Sequence, residues 1–417
     1  MKSLLAVSWW YPPLLGPRSI QVAKSLANLA KRGWNVHVIT AGLDHLPIGI
    51  AKDNELLDRY GQNVKISRSS NLFRSRIGQF SGKLDRRLAP IPDAQVFWAQ
   101  KASKRIAKDR QLDNYDVLAS FGQPWSSHIL GRAVAIHTGL PWLAHFSDPW
   151  ADNPYNGNLL PKQLQTMQNL ERQTVVKANS LVFTNQATVN LTMKKYEEKQ
   201  QKKAVVIPHG FDGRLINELS ASNFQMQANK LTLLHAGNIY GIRRPHSLFE
   251  ALRLLKKDAE IYQDLELVLL GAISKDGHWK NLIQEMGISE VIRFEKRVSY
   301  MESLAIAKKA DVLITLDAAS NGASVFLPSK LVDYLGLDRV ILGITPEQGV
   351  SADLLRSLDM PIADPESAQE IAEEIRKLHS LWKTDNLKVG KEKSKIIDQY
   401  EIEATSNLLE ETLLGLI

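Results

Sequence analysis

The sequence contains no cysteine, which excludes disulfide bonds, thiolate metal sites and a cysteine nucleophile. It also lacks a run of about 18 uncharged apolar residues, the length that a transmembrane helix requires. The apolar N-terminus is interrupted by Pro12 and Pro13 and has no small-x-small cleavage site, so it predicts a buried strand over Leu4–Ser8 and not a signal peptide. Together these absences fit a cytoplasmic protein.

Several signatures of catalysis and nucleotide binding are also missing. No G-x-G-x-x-G follows the first predicted strand and no G-x-x-x-x-G-K-[ST] occurs, which argues against a dinucleotide oxidoreductase and a P-loop NTPase. The metalloprotease motif H-E-x-x-H and the nucleophile elbow G-x-S-x-G are absent. Because no Asp-x-Asp pair is present to hold a metal–diphosphate, we expect no metal cofactor, and protein cations would have to neutralise a diphosphate ligand.

The composition is that of an ordinary globular protein of two or three domains, with 417 residues of which 44% are hydrophobic and 23% charged. Its net charge of +7 is unevenly placed, because Arg68 to Arg110 contains eleven Lys or Arg against three Asp, a local excess of +8. Such a segment can meet anionic lipid headgroups, a phosphorylated acceptor or nucleic acid. An ordinary solvated helical face is an equally weighted alternative.

Apolar runs typical of strands recur with helical patterns between them, which predicts an α/β fold with parallel sheets. Before residue 212 the predicted strands are Leu4–Ser8, Asn35–Thr40, Val64–Arg68, Tyr115–Ser120, Trp142–Phe146, Ser180–Thr184 and Ala204–Ile207. The polar stretch SASNFQMQANK then indicates a linker, after which the predicted strands are Leu231–Ala236, Glu266–Gly271, Val291–Phe294, Asp311–Leu316 and Val340–Ile344. We therefore expect two doubly wound Rossmann-like domains, at 1–212 and 213–393.

Two helices are predicted in more detail. In SIQVAKSLANLAKRG, Ser19 can cap the N-terminus and Gly33 can end the helix. The buried face of this helix is predicted to consist of Ile20, Ala23, Leu26, Ala27 and Ala30. The stretch 394–417 has the pattern of an amphipathic helix, for which packing against the N-terminal domain is one open arrangement; its apolar positions include Ile396, Ile397, Tyr400 and Leu408.

The stretch FLPSKLVDYL, residues 326–335, contains a cation in an unusual place. Pro328 suits a helix start because it needs no amide partner, so Lys330 falls in the first turn, where the helix dipole repels a cation. An anion bound at the same place would explain the lysine, and Asp333 one turn later could take ribose hydroxyls. An ordinary amphipathic helix with two solvated charges is the alternative.

A second cationic helix start occurs in LTLLHAGNIYGIRRPHSLFEAL. Gly237 and Gly241 loosen the loop after a strand, and Arg243 and Arg244 precede a helix that Pro245 can begin. Ligands of open α/β sheets bind beyond the carboxyl ends of the strands, so we expect both cationic segments to face one cleft and to bind a diphosphate there.

The chain as a whole resembles bacterial glycosyltransferases of family 4, which have the two-domain GT-B fold. The resemblance rests on the order and spacing of several segments: YPPLLGPRSIQVAKSLANLAKRGWNVHVIT, IPDAQVFW, DVLASFGQPWSSH, GLPWLAHFSDPW, VVIPHGFD, HAGNIYGIRRPHSLFEAL and FLPSKLVDYLG. It implies a nucleotide-sugar donor held mainly by the second domain.

For the second domain, the resemblance implies that Arg243 or Arg244 contacts the donor diphosphate and that Asp333 contacts the ribose. Lys330 belongs, with Pro328 and Ser329, to the Pro-Ser-Lys variant found in part of the family. The sequence departs from the family pattern at two positions, since Asn238, next to Gly237, replaces an arginine and Val325 replaces a carboxylate.

For the first domain, the resemblance places Gly16 in a loop where the backbone comes close to donor and acceptor. Asp148, which lies beyond a predicted strand, is the main candidate for a catalytic group that orients the acceptor or accepts its proton; a turn-capping role is the alternative. His209 is a catalytic candidate near the sugar or, equally, a structural histidine.

The resemblance also places the acceptor and the membrane on one side of the first domain. Arg86, Arg87, Lys101 and Arg105 lie in the corresponding basic segment, which we interpret as a surface contact with the inner face of the membrane and not as a nucleic-acid site. The tryptophans Trp125, Trp142 and Trp150 could stack on a sugar or an acceptor lipid, although core positions are commoner.

The expected activity is sugar transfer from a nucleoside-diphosphate sugar to a polysaccharide or lipid-linked acceptor. The resemblance implies retention of anomeric configuration, with the leaving diphosphate taking the acceptor proton. Two alternatives stay open: a nucleotide-sugar epimerase of the same two-domain plan, and a binding protein that has lost catalysis. Val325 and Asn238 keep the second alternative in consideration.

Overall fold

The computed structural model describes residues 1–47, 49–71, 86–106, 112, 114–239, 244–271, 278–317, 323–389 and 394–417, apart from the side chains of Arg86 and Asn158. The chain divides into two compact units. The N-terminal unit comprises Met1–Gly210 and Ile402–Ile417, and the C-terminal unit comprises Phe211–Glu401. Each unit has its own parallel sheet and its own core.

The N-terminal unit is built on a seven-stranded parallel sheet of order β5-β3-β1-β6-β7-β8-β9. The strands of this unit are β1 Ser3–Val7, β2 Leu14–Leu15, β3 Asn35–Ala41, β4 Ala51–Lys52, β5 Val64–Ser69, β6 Val117–Phe121, β7 Trp142–Phe146, β8 Ser180–Phe183 and β9 Ala204–Val206. Strands β2 and β4 form a separate antiparallel pair. The order reverses between β1 and β6, as in doubly wound folds.

Helices cover the N-terminal sheet and exclude water from its apolar strands. They are α1 Pro17–Lys31, α2 Asn54–Tyr60, α3 Val96–Ile106, α4 Ser126–Thr138, α5 Pro161–Lys177, α6 Gln186–Met193, α7 Glu198–Gln201 and, from the end of the chain, α17 Ile402–Leu414, with short 3-10 turns at Arg86–Leu88 and Pro154–Asn158. The core includes fully buried aromatic side chains of Trp98, Trp142, Trp150, Phe146 and Phe183.

The first and last helices of the N-terminal unit are fastened by charged groups. Arg32, the residue directly after α1, donates to Glu403 at 2.7 Å and contacts Glu410 at 3.2 Å, both on α17. The indole nitrogen of Trp34 donates to Glu410 at 2.9 Å. Because Arg32 bridges two carboxylates, the contact orients α17 as well as attracting it.

The C-terminal unit repeats the plan with a six-stranded parallel sheet of order β12-β11-β10-β13-β15-β17. Its strands are β10 Leu231–Ala236, β11 Leu265–Leu270, β12 Ile292–Glu295, β13 Val312–Leu316, β14 Ala323–Ser324, β15 Val340–Ile344, β16 Gln348–Gly349 and β17 Ile362–Ala363. Its helices are α8 Gly213–Glu218, α9 His246–Leu255, α10 Ala259–Gln263, α11 His278–Glu285, α12 Tyr300–Ala307, α13 Ser329–Leu335, α14 Val350–Ser357, α15 Ala368–Lys383 and α16 Ser394–Asp398, with a 3-10 turn at Ser289–Val291.

The predicted α/β class and every predicted strand are confirmed, with bounds that differ by at most two residues. Details of the helices differ. Helix α1 begins at Pro17 after Gly16, so Ser19 is buried within the first turn and is not the cap. Val22 and Leu29 belong to its buried face, whereas Ile20 and Ala30 are half-buried.

The stretch 394–417 is also corrected by the structure. It forms two helices, α16 and α17, and not one. Leu408 is 42% exposed, and the buried positions of α17 are instead Ile402, Thr405, Ser406, Leu409 and Leu413. The break between the helices shifts the helical register, which is why the apolar periodicity of the whole stretch misplaced Leu408.

Candidate functional site

The order of the C-terminal sheet reverses between β10 and β13, which creates a switch point at the carboxyl ends of these strands. Open parallel sheets bind ligands at such a point because the loops on its two sides diverge. Gly237 follows β10, Gly271 follows β11, and the stretch from Phe326 to Leu335 comes after β13 in sequence. These segments form the candidate site of the C-terminal unit.

Two glycines at this place have backbone conformations that suit glycine alone. Gly237 has φ +121° and Gly271 has φ +130°. A Cβ atom on Gly271 would lie 3.1 Å from the carbonyl carbon of Gly237, and one on Gly237 would lie 3.0 Å from Nζ of Lys330. The glycines therefore keep two backbone segments free of side chains beside a lysine ammonium group.

The Lys330 ammonium group is held by a buried histidine. Its Nζ atom lies 3.0 Å from Nε2 of His235, and Nδ1 of His235 lies 3.0 Å from the carbonyl oxygen of Ile314. An ammonium group only donates and a carbonyl only accepts, so the His235 proton is on Nδ1 and Nε2 accepts from Lys330. A neutral imidazole thus positions the lysine without cancelling its charge.

Asn238, after β10, contacts an arginine from the end of β12, two strands away in the sheet. Nη2 of Arg297, which follows β12, donates to Oδ1 of Asn238 at 2.7 Å, and both side chains are exposed. Arg244 is exposed just before α9, whereas Arg243 lies outside the described residues. The diphosphate roles of Arg243 and Arg244 stay predictions.

The stretch that was predicted to begin a helix does so one residue after Pro328. Helix α13 covers Ser329–Leu335, with Lys330 in its first turn as predicted. Asp333 is buried on this helix, so it is not the solvated charge of the alternative interpretation, and its ribose contact stays a prediction. The backbone nitrogen of Ala236 donates to the Tyr334 hydroxyl at 3.1 Å, which fastens α13 to the end of β10.

In the N-terminal unit, the buried Arg18 contacts residues at the carboxyl ends of β6 and β7. Nη2 of Arg18, on α1, donates to the carbonyl oxygen of His145 at 3.2 Å and lies 3.1 Å from Nδ1 of the same residue. Because a guanidinium only donates, Nδ1 accepts and the His145 proton is on Nε2. The guanidinium also lies over the ring of Phe121, 5.6 Å from its centroid.

The charge of Arg18 is maintained by a carboxylate. Burial lowers the pKa of Arg18 to about 9, and the charge of Asp148 opposes this shift. Arg18 is therefore a cation at neutral pH. The structure thus couples the predicted catalytic carboxylate to an arginine that the sequence analysis did not single out.

His209 packs its ring against that of His145, with centroids 6.1 Å apart and planes 10° from parallel. Burial lowers the pKa of both histidines well below the usual value, and the nearby charge of Arg18 lowers it further. His209 is accordingly neutral at pH 7, so it can act there only as a hydrogen-bonding group and not as a cation. Its catalytic role stays a prediction.

Asp148 is half-buried in a loop that side chains hold at several points. Oγ1 of Thr184 donates to the Ser147 carbonyl at 3.0 Å, and Nδ2 of Asn153 donates to the Pro149 carbonyl at 3.1 Å. These contacts fix the backbone on both sides of Asp148. They leave its catalytic and turn-capping interpretations open.

The fully buried carboxylate of Glu171 accepts a hydrogen bond from the backbone of the same loop. Glu171, on α5, accepts from the backbone nitrogen of Ala151 at 2.8 Å and from the Tyr196 hydroxyl at 2.8 Å. Nζ of Lys195 lies 2.7 Å from Glu171 and also contacts Asp152. The buried charge is therefore paired and hydrogen-bonded, as a carboxylate without water requires.

Trp150 is entirely buried, which corrects its prediction as an acceptor or membrane residue. Its ring stacks on Trp125 with centroids 4.8 Å apart, and its indole nitrogen donates to the sulfur of Met167 at 3.4 Å. Gly16 is extended, with φ −176°, and a Cβ there would lie 3.2 Å from the Trp10 ring. The small size of Gly16 thus accommodates Trp10, while its ligand contact stays a prediction.

The predicted basic face is described only in part. Lys101 and Arg105 lie four residues apart on the exposed face of α3, and Arg87 is exposed as well. Arg68, at the start of the basic segment, instead donates to the carbonyls of Ala41 and Pro12. The Arg86 side chain and residues 72–85 lie outside the described part of the chain.

The described ranges of the chain contain no group of three or more His, Cys, Asp or Glu residues placed to hold a metal ion. No described helix is both long and apolar enough to cross a membrane.

Five residues described above were not predicted from the sequence: Arg18, His145, Glu171, His235 and Arg297. His145 and His235 each lie near the end of an apolar predicted strand, and polar residues at such positions are the available signal. Arg297 comes two residues after β12, in a loop at the carboxyl end of a parallel strand. His145 pairs with Arg18, His235 with Lys330 and Arg297 with Asn238. These pairings depend on the order of the strands in each sheet.

No protein-family model matches the sequence, and no curated protein sequence matches it significantly. Solved structures do match it over the whole chain. Anabaena HepE, in complex with UDP-glucose, is 15% identical with a TM-score of 0.67, and 100% of both chains is covered.

Two further structures support the same comparison. A glycosyltransferase from Rickettsia africae is 14% identical (TM-score 0.67, covering 100% of this chain and 98% of that one). Sucrose-phosphate synthase from Thermosynechococcus elongatus is 12% identical (TM-score 0.72, covering 100% and 99%). The chain therefore has the GT-B fold with two Rossmann-like domains.

Proposed function

We propose that the protein is a family 4 glycosyltransferase that transfers a sugar from a nucleoside-diphosphate sugar to a glycan or lipid-linked acceptor. The observation that carries the proposal is the Lys330 ammonium group beside the side-chain-free backbone of Gly237 and Gly271, at the switch point of a GT-B domain. Such a site suits an anion that approaches backbone closely. The structural neighbour HepE was solved with UDP-glucose, which favours a nucleotide-sugar as that anion.

In the proposed reaction, the acceptor hydroxyl oxygen bonds to the anomeric carbon while the bond from that carbon to the diphosphate breaks. The hydroxyl proton passes to the leaving diphosphate, and the anomeric configuration is retained. Lys330 stabilises the negative charge that develops on the leaving group, which is where a fixed cation lowers the barrier most. Asp148 orients the acceptor hydroxyl.

The proposal is tested by binding and turnover together. UDP, GDP, ADP and dTDP, each with and without its sugar, are screened for an increase in melting temperature, and the best donor is then assayed with glycan and lipid-linked acceptors. A nucleotide at 100 times its Kd should add about 2.7 kcal/mol to the free energy of unfolding. Failure of every nucleotide to bind would refute the proposal.

Lys330→Ala is the informative variant, and Lys377→Ala is its control because Lys377 is an exposed lysine of the same unit that pairs with Glu374. We expect Lys330→Ala to weaken nucleotide binding and turnover, and the control to change neither. Formation of an isomer from donor alone would indicate an epimerase. Binding without any turnover would indicate a protein that has lost catalysis.

We also propose that the reaction needs no metal and that Lys101 and Arg105 contact an anionic membrane surface. Activity should therefore persist in EDTA. Lys101→Ser/Arg105→Ser should reduce co-sedimentation with vesicles containing phosphatidylserine, because each basic residue near such a surface contributes about 1 kcal/mol. Equal sedimentation of both proteins would remove the membrane part of the proposal.

A further inference from the structure

We propose that Arg297 binds the diphosphate of the donor and that Asn238 positions it there. This inference rests on the proposed function and adds a residue to its donor site. It also explains how the chain functions without the arginine that the family resemblance leads one to expect at position 238.

The first support is the position of Arg297 in the sheet. Strands β12, β11 and β10 are neighbours in that order, and all three are parallel, so their carboxyl ends lie at one edge. Arg297 comes after β12, Gly271 after β11 and Gly237 after β10. The arginine therefore leaves the sheet at the edge where the two glycines expose their backbone.

The second support is the contact that brings Arg297 to the β10 loop. Its Nη2 atom donates to Oδ1 of Asn238 at 2.7 Å, and Asn238 is the residue directly after Gly237. Lys330 approaches Gly237 itself, since Nζ lies 3.0 Å from the position of a Cβ there. A cation from the loop after β12 and a cation from the first turn of α13 thus lie beside adjacent residues of one backbone segment.

The third support is the charge of the group that holds Arg297. A side-chain amide accepts a hydrogen bond without neutralising the guanidinium. Arg293, on β12, shows the opposite arrangement, because it contacts the carboxylates of Glu266 at 3.3 Å and Glu295 at 3.2 Å and lies over the Phe224 ring. Two carboxylates thus neutralise the charge of Arg293, whereas the neutral amide of Asn238 orients Arg297.

These observations fit a diphosphate better than a neutral ligand. A guanidinium presents a planar fork of N–H groups that matches the oxygens of a phosphate, while a lysine ammonium group acts as a point charge. Arg297 and Lys330 together supply one of each. Asn238 then has the role of a positioning residue and not of a direct replacement for the family arginine.

The test compares ligands that differ in phosphate content. Affinities of Arg297→Ala and wild type are measured calorimetrically for uridine, UMP, UDP and inorganic pyrophosphate. We expect the variant to bind UDP and pyrophosphate about 10- to 100-fold more weakly, as the loss of a charge-assisted hydrogen bond implies, and uridine within about twofold of wild type. Arg253→Ala is the control, because Arg253 is an exposed arginine of the same unit that pairs with Glu250.

Asn238 provides a second, independent variant. Asn238→Asp should weaken UDP binding more than Asn238→Ala, because a carboxylate holds Arg297 and also cancels its charge. Adding Arg297→Ala to Asn238→Asp should then cost less than it costs in wild type. Equal effects of the Asp and Ala variants would contradict the positioning role.

Other results would overturn the inference. Equal weakening for uridine and UDP would place Arg297 at the base or ribose, and unchanged UDP and pyrophosphate affinity would remove it from the site. If wild type binds pyrophosphate but none of the nucleotides, the proposed function fails while the Arg297 comparison still decides the inference. Wild type that binds neither refutes both.

Discussion

The ammonium group of Lys330 donates a hydrogen bond to Nε2 of His235 over 3.0 Å. The Ile314 carbonyl fixes the other imidazole nitrogen, so the histidine is an oriented, neutral acceptor. The orientation of Lys330 therefore depends on a buried side chain of β10, which a ligand at the switch point does not need to touch.

We predict that His235→Leu weakens UDP binding about five- to twentyfold, because Lys330 loses the acceptor that orients it. His235→Gln should recover much of the affinity, since its amide oxygen can accept from Lys330. Calorimetric titration of UDP measures both. In a Lys330→Met background the His235 substitution should have little further effect; an additive loss would mean that His235 acts independently of Lys330.

We predict that Gly271→Ala lowers both the free energy of unfolding and the affinity for UDP. The new methyl group would lie 3.1–3.3 Å from the Gly237 backbone, and its φ of +130° is unfavourable for alanine. Strain of this kind costs about 1–3 kcal/mol. Thermal unfolding and UDP titration measure the two effects, with Gly157→Ala as the control because nothing lies within 4 Å of that Cβ. A Gly271 variant that matches wild type in both would show that the backbone approach is unimportant.

We predict that Glu171→Gln lowers turnover and stability but leaves the affinity for UDP unchanged. The substitution removes the charge that pairs with Lys195 and weakens the support of Ala151, in the loop that carries Asp148. Lys195 is 31% exposed and keeps its contact with Asp152, so we expect the loss to be that of a charged hydrogen bond, about 1.5–3 kcal/mol. Because the proposed nucleotide site belongs to the C-terminal unit, titration of UDP should separate this effect from donor binding. Wild-type turnover in the folded variant would contradict the role of the loop.

We predict that His128, His145 and His209 stay neutral well below pH 6.5 in the folded protein. Burial lowers the pKa of His128 to about 3, and those of His145 and His209 fall well below the usual value for the same reason. Nitrogen-15 NMR of labelled histidines should show no titration of these three near pH 6, in contrast to the protein unfolded in urea. A midpoint near 6.5 for any of them would contradict its burial.

The same shifts set the pH dependence of stability. The unfolded chain takes up protons at these histidines as the pH falls below 6.5, whereas the folded protein does not, so the free energy of unfolding should decrease by about 1.4 kcal/mol per pH unit for each histidine. Asp93 acts in the opposite sense, because burial raises its pKa to about 6 and ionisation costs stability as the pH rises from about 4 to 6. Three histidines outweigh one aspartate, so denaturation at pH 5.5 should need less urea than at pH 7.5.

The strands were predictable because each is a short apolar run between polar or glycine-rich breaks. The cation in the first turn of α13 was predictable too, since Pro328 sets the helix start and Lys330 follows at a fixed distance. The burial of Trp150 was not predictable from the sequence. A tryptophan two residues after Asp148 has the same local sequence pattern whether it faces a ligand or packs on Trp125.

The partners of the site residues were beyond sequence reasoning for a physical reason. His235 and Lys330 are 95 residues apart, and Asn238 and Arg297 are 59 apart. Their contacts follow from which strands become neighbours and from the register between them. A single sequence specifies the strands but not their order, so polar residues within apolar strands remained ambiguous.

The attachment of α17 to α1 has a consequence for biosynthesis. The N-terminal unit includes residues 402–417, which leave the ribosome only after the whole of 211–401 has been made. Arg32 and Trp34 can therefore form their contacts with Glu403 and Glu410 only after the second unit has been synthesised. During translation the order of completion is reversed: the unit that begins first is finished last.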